Sequence, residues 1–150
     1  MALVDILNEK IIDLDIEAEN KDEALHHLSK LLKEQNYIDD IDIFVKDIYE
    51  RESEGKTGIG NSIAIPHGKS SSVKNIGIAI GRTKNPIDWE SIDDKPISLI
   101  FLFCVSDNND YARNHLLLLA EIAGKLGNDE QVEKLRKATN KEEIVSILCE

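Results

Sequence analysis

Ile97–Val105 reads ISLIFLFCV, a run broken only by Ser98. It is far short of the roughly 20 apolar residues that span a bilayer. It is apolar at odd and even positions alike, the pattern of a central strand covered on both faces. Something must therefore pack on each side of it, and the flanking sequence supplies candidates.

Upstream, Ile76, Ile78 and Ile80 alternate with Gly77 and Ala79. This reads as a second strand whose small-residue face admits close packing by a helix or another segment. Further back, Ile11–Glu17 (IIDLDIE) alternates apolar and acidic residues, as in a strand with one wet face. Asn20 with Glu23 resembles a capping box, and Ala24, Leu25, Leu28, Leu31 and Leu32 follow at helical spacing. A second helix is expected from about Asp40 to Arg51 or Glu52, with Ile41, Phe44, Val45 and Ile48 inward. Between the two apolar strands, KNPIDWESIDDKP reads as a turn-rich connection. Downstream, helical patterns cover His115–Leu126, Asp129–Ala138 and Lys141–Leu148, the last with Asn140 and Glu143 as another capping box. Helices before and after the strands imply a single α/β layered domain over residues 1–150.

Charge narrows the function. The net charge of −11 argues against a nucleic-acid partner, which needs a basic footprint. Residues 56–87 nonetheless contain no acid and carry Lys56, Lys69, Lys74, Arg82 and Lys84. That segment is either a set of solvated lysines or a site for a small anion. The two cysteines, Cys104 in the apolar run and Cys149 near the end, make a disulfide framework improbable. With no basic leader at the N-terminus, a cytoplasmic setting is expected.

The acid-free segment overlaps GKTGIGNSIAIPHGKSSS, Gly55–Ser72. Its glycines invite nucleotide-loop readings, but neither fits. A P-loop needs glycine where Glu50 stands, and the dinucleotide fingerprint needs its third glycine where Ile63 stands. A helix is also expected before the loop, where both motifs require a strand. What remains is His67 between Pro66, which restricts the backbone, and Gly68, which leaves space beside the ring. Of the other histidines, His26 and His27 are adjacent on the first helix and read as surface or structural groups. His115 shares a face with Leu119 and Ile122, and is either a core histidine or one aimed into a site.

Arg51-Glu52, TGIGNSIAIPHGK, PIDW, the long apolar strand and HLLLLAEIAGKL together resemble the IIA domain of the bacterial phosphoenolpyruvate-dependent sugar phosphotransferase system. The likeness is to the fructose/mannitol type, which includes the nitrogen-regulatory branch, and it spans nearly the whole chain. It implies an α/β fold with a mixed sheet of about five strands between helices. It implies a phosphocarrier in which HPr donates a phosphoryl group to His67 and a cysteine of a IIB component receives it. Arg51 and His115 match the residues that stabilise the phosphoryl group. Backbone groups near Thr57, Gly58 and Gly68 are candidate loop contacts. The resemblance implies no cofactor and no metal, and contact with the membrane only through a IIC component. Trp89 in PIDW looks more like the fructose-type pattern, which inclines the reading towards transport, with a nitrogen-regulatory role as the alternative.

Overall fold

The computed structural model describes residues 2–108 and 112–150. Two short 3-10 turns lead into β1 (Ile12–Ile16), followed by α1 (Lys21–Glu34) and α2 (Ile41–Glu52). Three short strands come next: β2 (Gly58–Gly60), β3 (Ile63–Ala64) and β4 (His67–Ser70). The long strands β5 (Gly77–Ile87) and β6 (Ile97–Ser106) precede α3 (Ala112–Leu126), α4 (Asp129–Lys137) and α5 (Lys141–Leu148).

One mixed sheet of six strands has the order β1-β5-β6-β3-β2, with β4 also paired to β6. The expected α/β architecture is present, with six strands where about five were expected. The glycine stretch, read as loop, contributes β2, β3 and β4. At three, two and four residues, these are too short for a period-2 pattern to show.

β6 lies at the centre, as its apolar run requires. β5 runs antiparallel along one edge, and β3 and β4 run parallel along the other. Leu99, Phe101, Phe103 and Val105 face the core shared with Leu118, Ile122, Leu135 and Ile144 of α3–α5. Ile100, Leu102 and Cys104 face the core shared with Leu25, Leu28, Phe44 and Ile48 of α1 and α2. The small-residue face of β5 lies under α1. A Cβ on Gly81 would sit 2.5 Å from Ile16 Cδ1 and 3.2 Å from Leu28 Cδ2. β5 also runs on through Lys84–Ile87, residues expected in the turn-rich connection. Pairing with β1 ends at Thr83, so Pro86 lies on an open edge where its missing N–H is tolerated.

Helix starts follow the sequence closely. Asn20 accepts from the Glu23 N–H at 2.9 Å, Asp40 from the Ile43 N–H at 3.0 Å, and Asn140 from the Glu143 N–H at 2.9 Å. The return bonds of the two expected capping boxes fall one residue upstream. Glu23 accepts from the Glu19 N–H at 2.7 Å, and Glu143 from the Thr139 N–H at 3.2 Å.

The acid-free segment is not one positive patch. Lys56 pairs with Asp94 at 3.6 Å, and Lys84 pairs with Glu17 at 2.7 Å. Arg82 donates to the carbonyls of Leu135, Arg136 and Ala138 at 3.2, 3.0 and 2.8 Å. It thereby caps the C-terminal end of α4, where a cation is favoured. No described helix is long and apolar enough to cross a membrane.

Candidate active site

β3 and β4 form one edge alongside β6, broken at Ile65-Pro66. Ile65 sends its N–H to the Thr57 carbonyl at 2.9 Å, and the Pro66 carbonyl accepts from the Phe103 N–H at 2.9 Å. Proline has no N–H to give, so the ladder pauses and restarts at His67. Alternation then places His67 and Lys69 on one face and Gly68 and Ser70 on the other. His67 pairs in register with Phe103, and the two rings meet edge to face with centroids 6.2 Å apart.

This face floors a cleft of about 410 Å3. Asp47, Glu50, Arg51 and Glu54 form one wall, from α2 and the turn after it. Ala112, His115, Leu116 and Leu119 of α3 form the other, with Lys69, Phe103 and Val105 beside His67. Arg51, His67 and His115 are thus brought together from three elements far apart in sequence.

Thr57, Gly58 and Gly68 are absent from that lining. The Thr57 side chain donates to Glu52 at 2.9 Å and accepts from the Trp89 indole N–H at 3.0 Å. The Gly58 N–H donates to the Glu90 carbonyl at 3.0 Å, and a Cβ on Gly58 would lie 2.5 Å from Ser91 Cβ. Gly68 was read as space beside the histidine. Its missing side chain is filled instead by Phe44 of α2, whose Cε1 and Cζ lie 2.2 Å from where a Cβ would stand. Gly68→Ala is therefore expected to push α2 off the sheet and destabilise the fold by about 1–3 kcal/mol. Chemical denaturation of the two proteins checks this.

The charge around the cleft is also richer than the segment count suggested. Acids line one wall of the site, and they come from α2 and the turn after it. Asp47, Glu50, Arg51 and Glu54 recur at helical spacing, so one stripe places three carboxylates at the rim with the guanidinium. Lys69 is the one base of the acid-free segment that lines this cleft.

Burial and the positive charge of Arg51 push the His67 pKa down to about 4, with the Ile65 backbone acting weakly in the other direction. The His67 Nδ1 is buried and lacks a hydrogen-bond partner of good geometry. Burial and the nearby Lys69 ammonium also lower the pKa of half-buried His115. Both rings are therefore biased towards the neutral form, which has a lone pair to offer. An NMR titration of the His67 ring is expected to show a midpoint near pH 4. Unfolded, the same ring would take up a proton near pH 6.5. The unfolded state thus binds more protons as the pH falls from about 6.5 towards 4, and His67 costs stability across that window.

The chain is similar to known proteins along nearly its whole length. Residues 5–150 match the family described as "Phosphoenolpyruvate-dependent sugar phosphotransferase system, EIIA 2". A fructose-specific EIIABC component of Bacillus subtilis is 32% identical over 148 residues, which cover 99% of this chain but 23% of that longer protein. The crystal structure of nitrogen regulatory protein IIA-Ntr from Neisseria meningitidis superposes with a TM-score of 0.88 at 32% identity, covering 97% of each chain. The IIA component of the Escherichia coli mannitol system, solved in complex with phosphorylated IIB, has a TM-score of 0.78 at 21% identity, covering 95% of this chain and 96% of that one, and supports the fold alone. With a family match running almost end to end, this chain belongs to the EIIA 2 family of the phosphoenolpyruvate-dependent sugar phosphotransferase system.

Proposed function

We propose that the protein is a phosphocarrier that takes a phosphoryl group from phospho-HPr onto His67 and passes it to a cysteine of a IIB component during fructose-type sugar uptake. The observation that carries this reading is a neutral histidine, held in a cleft against an arginine, in a chain of this family. With Nδ1 shut away, Nε2 is the attacking atom. As the Nε2–P bond forms, the bond between phosphorus and the donor nitrogen breaks and its electron pair returns to the donor ring. Phosphoryl transfer of this kind is mostly positioning and charge stabilisation. Arg51 offers a planar fork to the phosphoryl oxygens, and His115 and Lys69 offer further donors. The acids at the rim suit a donor protein with a basic docking face, and the exchange takes place in the cytoplasm.

A second reading is favoured by the likeness to the Neisseria IIA-Ntr structure over nearly the full length of both chains. In it, the phosphorylation state of His67 governs binding to other proteins. Trp89 does not separate the two, because it is 7% exposed and hydrogen-bonded to Thr57. Its presence reports packing of the loop rather than choice of partner.

Incubation with phosphoenolpyruvate, enzyme I and HPr tests the carrier reading. The expected product is an acid-labile, alkali-stable phosphoryl group on the protein. Addition of a fructose-type IIB component then separates the branches, since rapid discharge onto its cysteine supports transport and persistent label supports regulation. His115→Ala is expected to slow this onward step more than the loading step, and normal discharge rates would remove its proposed role.

A further inference from the structure

Arg51 stands at a vulnerable place, in the last turn of α2, where helices fray. The residues that follow, Ser53 to Lys56, are exposed. Its own guanidinium makes one long contact, to the Gly55 carbonyl at 3.4 Å. The firm anchoring belongs to its neighbour. The Glu52 side chain is 5% exposed, and its Oε1 accepts from Lys21 Nζ at 2.6 Å. The same oxygen accepts from the Thr57 hydroxyl at 2.9 Å. Thr57 in turn accepts from the Trp89 indole N–H at 3.0 Å. Lys21 also pairs with Glu90 at 2.9 Å and lies 5.0 Å from the centre of the Trp89 ring.

This cluster ties the end of α2 to the start of α1 and to the segment around Trp89. The Glu52–Thr57 bond also closes the five-residue turn between α2 and the strands that lead to His67. The carboxylate therefore holds the Arg51 end of the segment that leads to His67, and the Thr57 carbonyl in turn accepts from the Ile65 N–H at 2.9 Å, two residues before His67. Successive helical residues point about 100° apart, so fixing Glu52 inward fixes the direction in which Arg51 leaves the helix.

We propose that Glu52, held by Lys21 and Thr57, is the positioning residue that aims Arg51 at the phosphoryl group on His67. Its rate readout rests on the phosphocarrier reading, and its titration readout does not. Glu52→Gln keeps the shape and removes the charge that holds Lys21. Thr57→Val keeps the shape and removes the hydroxyl, while Thr57→Ser restores it.

The test measures the rate at which phospho-HPr loads His67 and, separately, the NMR titration of the His67 ring. Glu52→Gln and Thr57→Val are expected to slow loading by roughly tenfold or more, since a misplacement of about 1 Å can cost about a hundredfold. As Arg51 drifts from the ring, the His67 midpoint should rise from about 4. Thr57→Ser should behave as wild type, and in an Arg51→Ala background neither substitution should slow loading further. Loading and titration unchanged in both variants would overturn the proposal. So would a slowing that persists in full without Arg51, which would mark a structural role only. Wild-type protein that fails to accept phosphate would instead sink the phosphocarrier reading, leaving the titration to judge the positioning.

Discussion

His67→Ala is expected to abolish loading by phospho-HPr, with no measurable transfer to a IIB component and little change in fold. The side chain sits in a cleft rather than at the centre of either core, so its loss leaves the sheet and both apolar layers in place. The ring's polar contact with the protein is a poorly aligned one to the Ile65 backbone, so removing it costs little. The variant also loses a group whose proton affinity is depressed by folding. It should therefore lose less stability than wild type as the pH falls from about 6.5 to 4. Loss of transfer together with a flatter acid limb of stability distinguishes removal of the acceptor from general damage. A variant still labelled at the wild-type rate would place the acceptor elsewhere.

The second large effect concerns Arg51. Arg51→Ala is expected to slow loading by about two to three orders of magnitude, the scale seen when a donor to developing charge is removed. Arg51→Lys should recover only part of that loss, because a point charge does not reproduce a planar fork across phosphoryl oxygens. Both changes also bear on the acceptor itself. Arg51 is the second cause, after burial, of the low His67 pKa, so Arg51→Ala should raise the midpoint while Arg51→Lys changes it less. Rapid-quench measurement of loading, with titration on the same samples, checks the two consequences together. Unchanged loading in Arg51→Ala would make the guanidinium peripheral.

The long elements were legible in the sequence because their periodicity is long. β6 declares its two buried faces through nine consecutive residues, and the capping patterns at Asn20 and Asn140, with the amphipathic pattern from about Asp40, mark helix starts that the structure retains. Arg51, His67 and His115 were readable through the family's motif, and folding gathers all three in one cleft. Glycine in sequence reads as room for close approach, whereas at Gly58 and Gly68 the room is occupied by Ser91 and Phe44. A missing side chain looks the same in sequence whether a phosphate or a phenyl ring fills the gap. A charge count along the chain does not show that the acids near Arg51 share a rim with it, because α2 and the turn after it gather them. Helical spacing of Asp47, Glu50, Arg51 and Glu54 was the available signal. The cluster at Glu52 carries none, since Lys21 and Thr57 meet Glu52, and Trp89 meets Thr57, only after folding.

Acceptance of phosphate by one defined atom is the centre of this account, and NMR of the isotopically labelled protein after loading by phospho-HPr observes that atom directly. The predicted result is phosphorus coupled to Nε2 of His67, the ring's Nδ1 remaining unmodified. A phosphoryl group on any other residue, or none at all after prolonged exposure to phospho-HPr, would contradict it.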